Sequence, residues 1–460
     1  MKITLKRILL VVLSAVILTG CIACIPKAPS ETNAESPSDA PAEAPESLGS
    51  LPKSTPAETP EETPEETPEE TEPAETEPPQ PDEVTIDGTP LSEYSIVYSS
   101  TDPVFSHLAN ILADSIEEII GTRPEVKVDL RAYTSGKEII CGSNLRVKGE
   151  LSERVKTLEK GEYLVCTDGD FLFLGGKSGD YAAEVSAVNA FVKIITDAEA
   201  SGKRAVSTEE AVKTSTELGR YTVMSYNDGG NSVTKVKQIA EIVKEYKPDL
   251  IGFQEFQRTH YDMFYKNELP EYGIIYYESD GTTWNSQPIF YLKDKFEVLE
   301  SGRQWLSDTP DDPYTKYAES DYTRSYTYAV LKDKETGLEF VMVNTHIDYV
   351  SAATALQVAK LLELTERFGD MPMYYTGDFN MTSQSKGFSI MTEAGYLPTY
   401  MSVKGVLTPA TMVGGQTVID FCFADITKIV CNSYKVINTH KYSQTASDHY
   451  PILSDISIIA

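Results

Sequence analysis

The stretch 371–382, MPMYYTGDFNMT, sets Asp378 and Asn380 two positions apart behind an apolar run. The run ending in Tyr374 and Tyr375 reads as a buried strand, and Gly377 as the point where the backbone turns. Residues two apart on an extended backbone project to the same side, so Asp378 and Asn380 face one way and Phe379 the other. A carboxylate and a carboxamide leaving a core strand together can bind a metal, hold a water or contact a phosphate. Further polar clusters follow the same pattern in the same half of the chain. Asn227 closes a strand over 221–226, and Glu255 closes the apolar run DLIGFQE at 249–255. His346 stands in NTHID behind a strand over 339–343. Asp420 follows Val418 and Ile419, and Asp448 and His449 stand in SDHYP before a final strand over 452–459. Each residue alone has a structural explanation: a solvated strand end, a hydrogen-bonded core histidine, an Asx turn. Together they place acids, amides and two of the five histidines at strand ends of one region, where α/β sites assemble.

The elements that must position these residues begin at about 219, with a helix expected over 233–246 between the first two strands. Ahead of them, 88–215 reads as a small α/β domain with strands over 95–99, 138–141, 162–166 and 170–174 and helices over 104–120 and 181–195. It concentrates no acids, histidines or cysteines, and reads as a spacer or docking module. Its order is similar in pattern, not in motif, to accessory α/β domains that precede the barrels of some bacterial glycosidases. Residues 196–218, rich in Ala, Ser, Thr and Glu, form the expected boundary.

The N-terminal part of the 460-residue chain is built differently. Lys2, Lys6 and Arg7 precede an apolar run over 8–18 and then Leu18-Thr19-Gly20-Cys21. A basic start, a short hydrophobic core and small residues before a cysteine describe a secretory signal over 1–20 rather than a membrane span. The ending resembles a bacterial lipoprotein signal, which implies cleavage before Cys21, a lipid on its sulfur and a membrane held through that anchor only. Residues 31–87 contain 18 Asp and Glu against one Lys, and 12 of the 26 prolines. Such a tract cannot bury enough apolar surface to offset its ordering entropy, so a disordered acidic linker is expected over 21–87. It accounts for 17 of the 30 net negative charges. Six cysteines in a chain of this length are no disulfide scaffold; Cys141, Cys166, Cys422 and Cys431 lie in or beside apolar runs where free thiols pack.

The ordered set YN at Asn227, QE at Glu255, NTH at His346, GDFN at Asp378, ID at Asp420 and SDHYP at His449 resembles the endonuclease/exonuclease/phosphatase superfamily over about 220–460. The resemblance implies a DNase I-like, four-layer α/β/β/α sandwich over 219–460, preceded by the small α/β accessory domain and the linker. It implies Glu255 as the main ligand of Mg²⁺ or Mn²⁺, with Asn227 and Asp448 near the metal, and hard oxygen donors suit such ions. Asp378 would orient or deprotonate the attacking water, and Asn380 would contact the phosphate. His449, held by Asp420, and His346 would stabilise the phosphorane-like charge and assist the leaving oxygen. Arg324 lies where family members often carry a phosphate-contacting Arg; a surface salt bridge is the other reading. Trp305, in QWLSDTP, is either core or a substrate platform. Some members pair the first catalytic histidine with a Glu near Asn285 here, which leaves the partner of His346 open. The residue types agree with the chemistry: water attacking a phosphorus shielded by negative oxygens needs a cation, an acid to place the water and donors facing the equatorial oxygens.

Residues 219–460 carry 21 Lys and Arg against 31 Asp and Glu, with no basic cluster of the kind that releases counterions from nucleic acid. The expectation is therefore a monomeric, lipid-anchored phosphoesterase on the extracellular face of a bacterial membrane, acting on small phosphate mono- or diesters. An extracellular DNase I-like endonuclease is the alternative, and a non-catalytic adhesion protein on the same fold is the competing class.

Overall fold

The computed structural model describes residues 80–460 except 131, 132, 134, 209, 210, 230, 231, 279–285 and 404–407. The signal-like segment, Cys21 and all but the end of the acidic linker lie outside the described residues. Two six-stranded sheets build the C-terminal region. The first runs in the spatial order Tyr272–Ile275, Ile289–Leu292, Leu250–Gln254, Glu217–Asn227, Ile452–Ile459 and Ile429–Val436. The second runs Phe296–Trp305, Ser325–Asp333, Glu339–His346, Met373–Asp378, Asp420–Asp425 and Tyr396–Pro398. Each sheet has one parallel pair near its centre: Glu217–Asn227 with Leu250–Gln254, and Glu339–His346 with Met373–Asp378.

A parallel pair needs a crossover, and the helices Val233–Tyr246 and Ser351–Thr365 supply the two. The Glu217–Asn227 strand alternates accordingly. Tyr221 and Val223 face the core between the sheets, while Met224 and Tyr226 face the helix on the outside. That helix answers with Val236, Ile239, Ala240 and Val243, one apolar stripe at helical spacing. On the second sheet, Ser351–Thr365 and Lys386–Glu393 cover the outer face. The result is the four-layer α/β/β/α sandwich. Because both faces of the central strands are covered, they read as continuous apolar runs.

Two details differ from the sequence reading. Gly377 does not turn the chain: it sits inside the strand, and a Cβ there would lie 2.5 Å from Thr345 O, so glycine is needed for the close approach of the neighbouring strand. The turn falls on Asn380, whose φ of 46° is left-handed. Asp420 does not end a strand but begins one, antiparallel to Met373–Asp378 and opposite Asp378 in register. Phe379 is fully buried against Phe423, as the alternation required.

The N-terminal region holds a third six-stranded sheet in the order Val126–Val128, Tyr94–Tyr98, Lys137–Cys141, Phe171–Gly176, Glu162–Asp168 and Lys213–Thr214. The helices Pro103–Ile120 and Tyr181–Ser201 cover one face and Gly149–Thr157 the other. Order begins before residue 88: Thr85–Ile86 pairs with both Thr89–Pro90 and Ala205–Val206, and Val84 and Ile86 are fully buried. Residues 80–460 form one compact unit. Leu397, Ile426, Val430 and Ile459 of the C-terminal region join the N-terminal core, and Asn189 Nδ2 donates to Thr427 O at 2.6 Å. Cys141, Cys166, Cys422 and Cys431 are buried free thiols. Among the described residues no helix is long and apolar enough to cross a membrane.

The two sheets of the C-terminal region approach closely at Gly252. A Cβ there would stand 2.1 Å from Thr376 Oγ1 and 2.7 Å from Asn344 Oδ1, both on the opposite sheet. Gly252→Ala is expected to cost about 1–3 kcal/mol, the usual range for overpacking, read as a lowered midpoint in urea unfolding. An unchanged midpoint would show that the seam is loose.

Candidate functional site

The C-terminal ends of the two parallel pairs lie side by side at one edge of the sandwich. Asn227 leaves the first pair, Glu255 follows its partner strand, and His346 and Asp378 close the second pair, in register with each other. The Asn227 amide joins the sheets: its Nδ2 donates to Asp378 Oδ2 at 3.0 Å and to Glu255 Oε1 at 3.3 Å. Asp378 Oδ2 also stands 3.5 Å from His346 Nε2 and 3.7 Å from His449 Nε2. His449 is held from behind, Nδ1 facing Asp420 Oδ2 at 2.9 Å and Oδ1 at 3.1 Å. Asn380 donates its backbone N–H to Asp378 Oδ1 at 3.0 Å, and its amide Nδ2 meets His346 Nε2 at 3.1 Å and Ile347 O at 3.0 Å. Residues spread over more than two hundred positions therefore converge.

The loop 447–449 is fastened to the first sheet by Ser447, whose hydroxyl donates to Asn227 O at 2.7 Å and accepts the His449 N–H at 3.1 Å. Asp448 is the exposed member of the group. Arg324 is 2 % exposed, which rules out a surface salt bridge. Its guanidinium lies over the Tyr322 ring at 5.3 Å and feels the charges of Asp378, Asp348 and Glu255. Trp305 is buried, edge-on to Tyr314, and is core. Asn285 lies outside the described residues. Among the described residues no acceptor reaches His346 Nδ1.

Three supports were not anticipated from the letters. Gln254 Nε2 donates to Asn344 Oδ1 at 2.7 Å, while Asn344 Nδ2 donates to Phe253 O and Pro288 O at 2.7 and 2.9 Å, so two buried amides stitch the sheets together under the site. Asp348 accepts the Tyr322 N–H at 2.8 Å and fixes the loop that carries Arg324. Gln357, on the apolar face of Ser351–Thr365, accepts the Asp348 N–H and donates to Ser320. A lone amide on an apolar helix face was the available signal for the last.

Glu255 and Asn380 are two of the five non-glycine residues with positive φ among the described residues, at 56° and 46°. Such conformations cost about 1–3 kcal/mol and persist where surrounding structure imposes them, often at sites. The electrostatics point the same way. Burial raises the Glu255 carboxyl, a shift that the Asn227 hydrogen bond opposes and the nearby Asp448 charge reinforces. Burial and the Asp420 charge push Asp378 up to about 7. For His449, burial is outweighed by Asp420, Asp378 and Asp448, which hold it up to about 10. Burial, Arg324 and His449 drive His346 well below its ordinary value, so it is neutral. Carboxylates thus outnumber the cations Arg324 and His449, and two of them resist ionisation. A divalent cation fits that deficit. Glu255, Asp378, Asp448 and the Asn227 amide offer the hard oxygen donors such an ion prefers, while Asp378, Asp420 and His449 form the one compact group of ligand-type atoms found among the described residues, all within 4.8 Å of one another. In the latter His449 Nδ1 is already engaged by Asp420, which makes the Glu255 side the better seat.

Residues 224–449 match the profile of the Endonuclease/Exonuclease/phosphatase family. The chain is 22% identical over 203 residues to carbon catabolite repressor protein 4 homolog 3 of Arabidopsis thaliana, an alignment spanning 38% of this chain and 43% of that protein. The chain therefore spans less than half the length of that relative. Among solved structures it is similar to an endonuclease/exonuclease/phosphatase from Bacteroides vulgatus, with 26% identity, 52% of this chain and 99% of that chain covered, and a TM-score of 0.48. It is also similar to a mannosyl-6-phosphatase from Bacteroides thetaiotaomicron, with 25% identity, 51% and 99% covered, and a TM-score of 0.47.

Raised folded-state values on Asp378 and His449 have the same sign for stability. The Asp378 contribution is present below its ordinary value of 3.8 and lost as pH climbs through about 7. That of His449 is present below 6.5 and lost as pH climbs through about 10. The metal-free protein should therefore lose stability from pH 5 to 9, and a cation that relieves Asp378 and Glu255 should restore it. Mn²⁺ at about a hundred times its Kd is expected to add about 2.7 kcal/mol, seen as a raised thermal midpoint at pH 8 that shrinks toward pH 5. Glu255→Gln should remove the effect; a midpoint that ignores Mn²⁺ at both pH values would refute the cation site.

Proposed function

We propose that residues 219–460 are a divalent-metal-dependent phosphoesterase that hydrolyses small phosphate mono- or diesters by attack of water on phosphorus. We further propose that the enzyme is held at the outer face of a bacterial membrane through a lipid on Cys21, a reading supported by the Leu-Thr-Gly-Cys motif and the acidic tract behind it. The observation that carries the catalytic proposal is the convergence on one carboxylate oxygen: Asp378 Oδ2 gathers Asn227, His346 and His449 from both sheets. The family whose profile matches is named for activities that all cleave phosphoester bonds.

Glu255, with Asn227 and Asp448, would hold Mg²⁺ or Mn²⁺, which when bound would supply charge neutralisation and polarisation of the phosphoryl oxygen. The chain's own groups do the rest. Asp378, held by burial close to neutral in its proton affinity, positions the attacking water and takes its proton. His449, kept cationic by Asp420, faces the negative charge that develops on phosphorus and protonates the leaving oxygen. Arg324, buried and pressed on Tyr322, offers a fixed guanidinium to the phosphoryl group. His346, neutral, holds the Asn380 amide in place beside Asp378. The acidic balance of the region favours small esters over long nucleic acid.

The full chain should hydrolyse phosphate mono- or diesters with Mg²⁺ or Mn²⁺ and lose that activity in EDTA. Asp378→Asn and His449→Ala should each lower kcat by about 10²–10⁴, the range of a lost acid–base group or oxyanion donor. Plasmid cleavage matching small-ester turnover would move the assignment to a nuclease. Wild type and Glu255→Ala equally inert on every ester would leave a binding protein.

A further inference from the structure

The N-terminal region carries a cavity of about 440 Å³ that the hydrolytic chemistry does not use. Its position follows from the sheet topology. Tyr94–Tyr98 lies between Val126–Val128 and Lys137–Cys141, and all three strands are parallel. After Tyr98 the chain leaves for the helix Pro103–Ile120 on one face; after Cys141 it leaves for Gly149–Thr157 on the other. Connections that part to opposite faces open a crevice beyond the carboxyl ends of the strands, and open α/β sheets bind ligands there. Ser99, Ser143 and Ser178, each just past the end of a parallel strand, line that crevice. The C-terminal region closes the far side with Ser383, Phe388 and Tyr400.

The lining has a definite chemistry. Among the described residues it is hydroxyl-rich and aromatic and contains no Lys or Arg. The helix N-terminus that opens into it is already occupied by a carboxylate, since Asp102 caps Val104 N–H at 3.1 Å and accepts the Tyr181 hydroxyl. An anion would therefore meet a negative charge where a bare helix end would have attracted it. A neutral ligand with many hydroxyls and apolar ring faces meets acceptors, donors and aromatic surface instead. The volume lies within the range of small-ligand sites, which favour junctions between structural regions.

We propose that this cleft binds a neutral saccharide, independently of catalysis at the Asp378 site. Isothermal titration of the full chain in EDTA, against gluco-, manno- and N-acetylglucosamine hexasaccharides with inorganic phosphate as the charged control, tests it. At least one hexasaccharide should bind and phosphate should not compete. Thr101→Trp and Ser178→Trp, at exposed lining positions, should each weaken that binding by at least about tenfold, or 1.4 kcal/mol, while ester hydrolysis and the Mn²⁺-dependent midpoint stay at wild-type values. Glu255→Gln should bind the sugar as wild type does, so failure of the hydrolase reading and failure of this one are separable. No hexasaccharide binding, binding indifferent to both tryptophans, or displacement by phosphate would each overturn the proposal.

Discussion

The closeness of two sheets at one edge is the constraint on which the site depends. Gly252 lets the sheets approach until Thr376 and Asn344 fill the space that a side chain would take. Gln254 then donates to Asn344 across the gap, and Asn344 donates to the Phe253 carbonyl. Buried amides are costly unless paired, so this pairing fixes the lateral position of one sheet on the other. Asn227, in the layer opposite Asp378, reaches it only because that position is fixed. A shift of about 1 Å would separate the groups that the proposed chemistry brings to one phosphorus.

Concentrating acids at that edge has an electrostatic consequence. Burial keeps Asp378 and Glu255 reluctant to ionise, and the same burial spares His449 only because Asp420 stands behind it. The two histidines, alike in sequence context at strand ends, therefore hold different charges. His449 has a carboxylate partner and His346 has Arg324 nearby. Positive φ at Glu255 and Asn380 shows the backbone bent to the needs of the same cluster. The local strain and the excess negative charge coincide at the place where the proposed cation would offset that charge.

The N-terminal region is more than a spacer in its packing. Its core takes in side chains from the C-terminal region, and its topology leaves a crevice at the junction. Order also begins within the tail of the acidic tract, because Val84 and Ile86 find a sheet partner in Ala205–Val206 that composition alone does not reveal.

What the letters alone determined is what local chemistry dictates. Apolar runs closed by Asn227, Glu255, His346 and Asp378 are strands ending in polar groups, and period-two alternation correctly sent Phe379 into the core. Six ordered motifs, each a short-range pattern of strand and turn, carried the family resemblance that implied the fold class. Other features came only from tertiary contact. The letters could not show that Arg324 is buried, that Asp420 opens its strand opposite Asp378, or that Gly377 serves a close approach and not a turn. Nor could they show that Gln254 and Asn344, ninety positions apart, pair across the sheets. Burial and long-range pairing depend on which surfaces meet, and nothing in a residue's neighbours along the chain encodes the distance to a partner on another sheet.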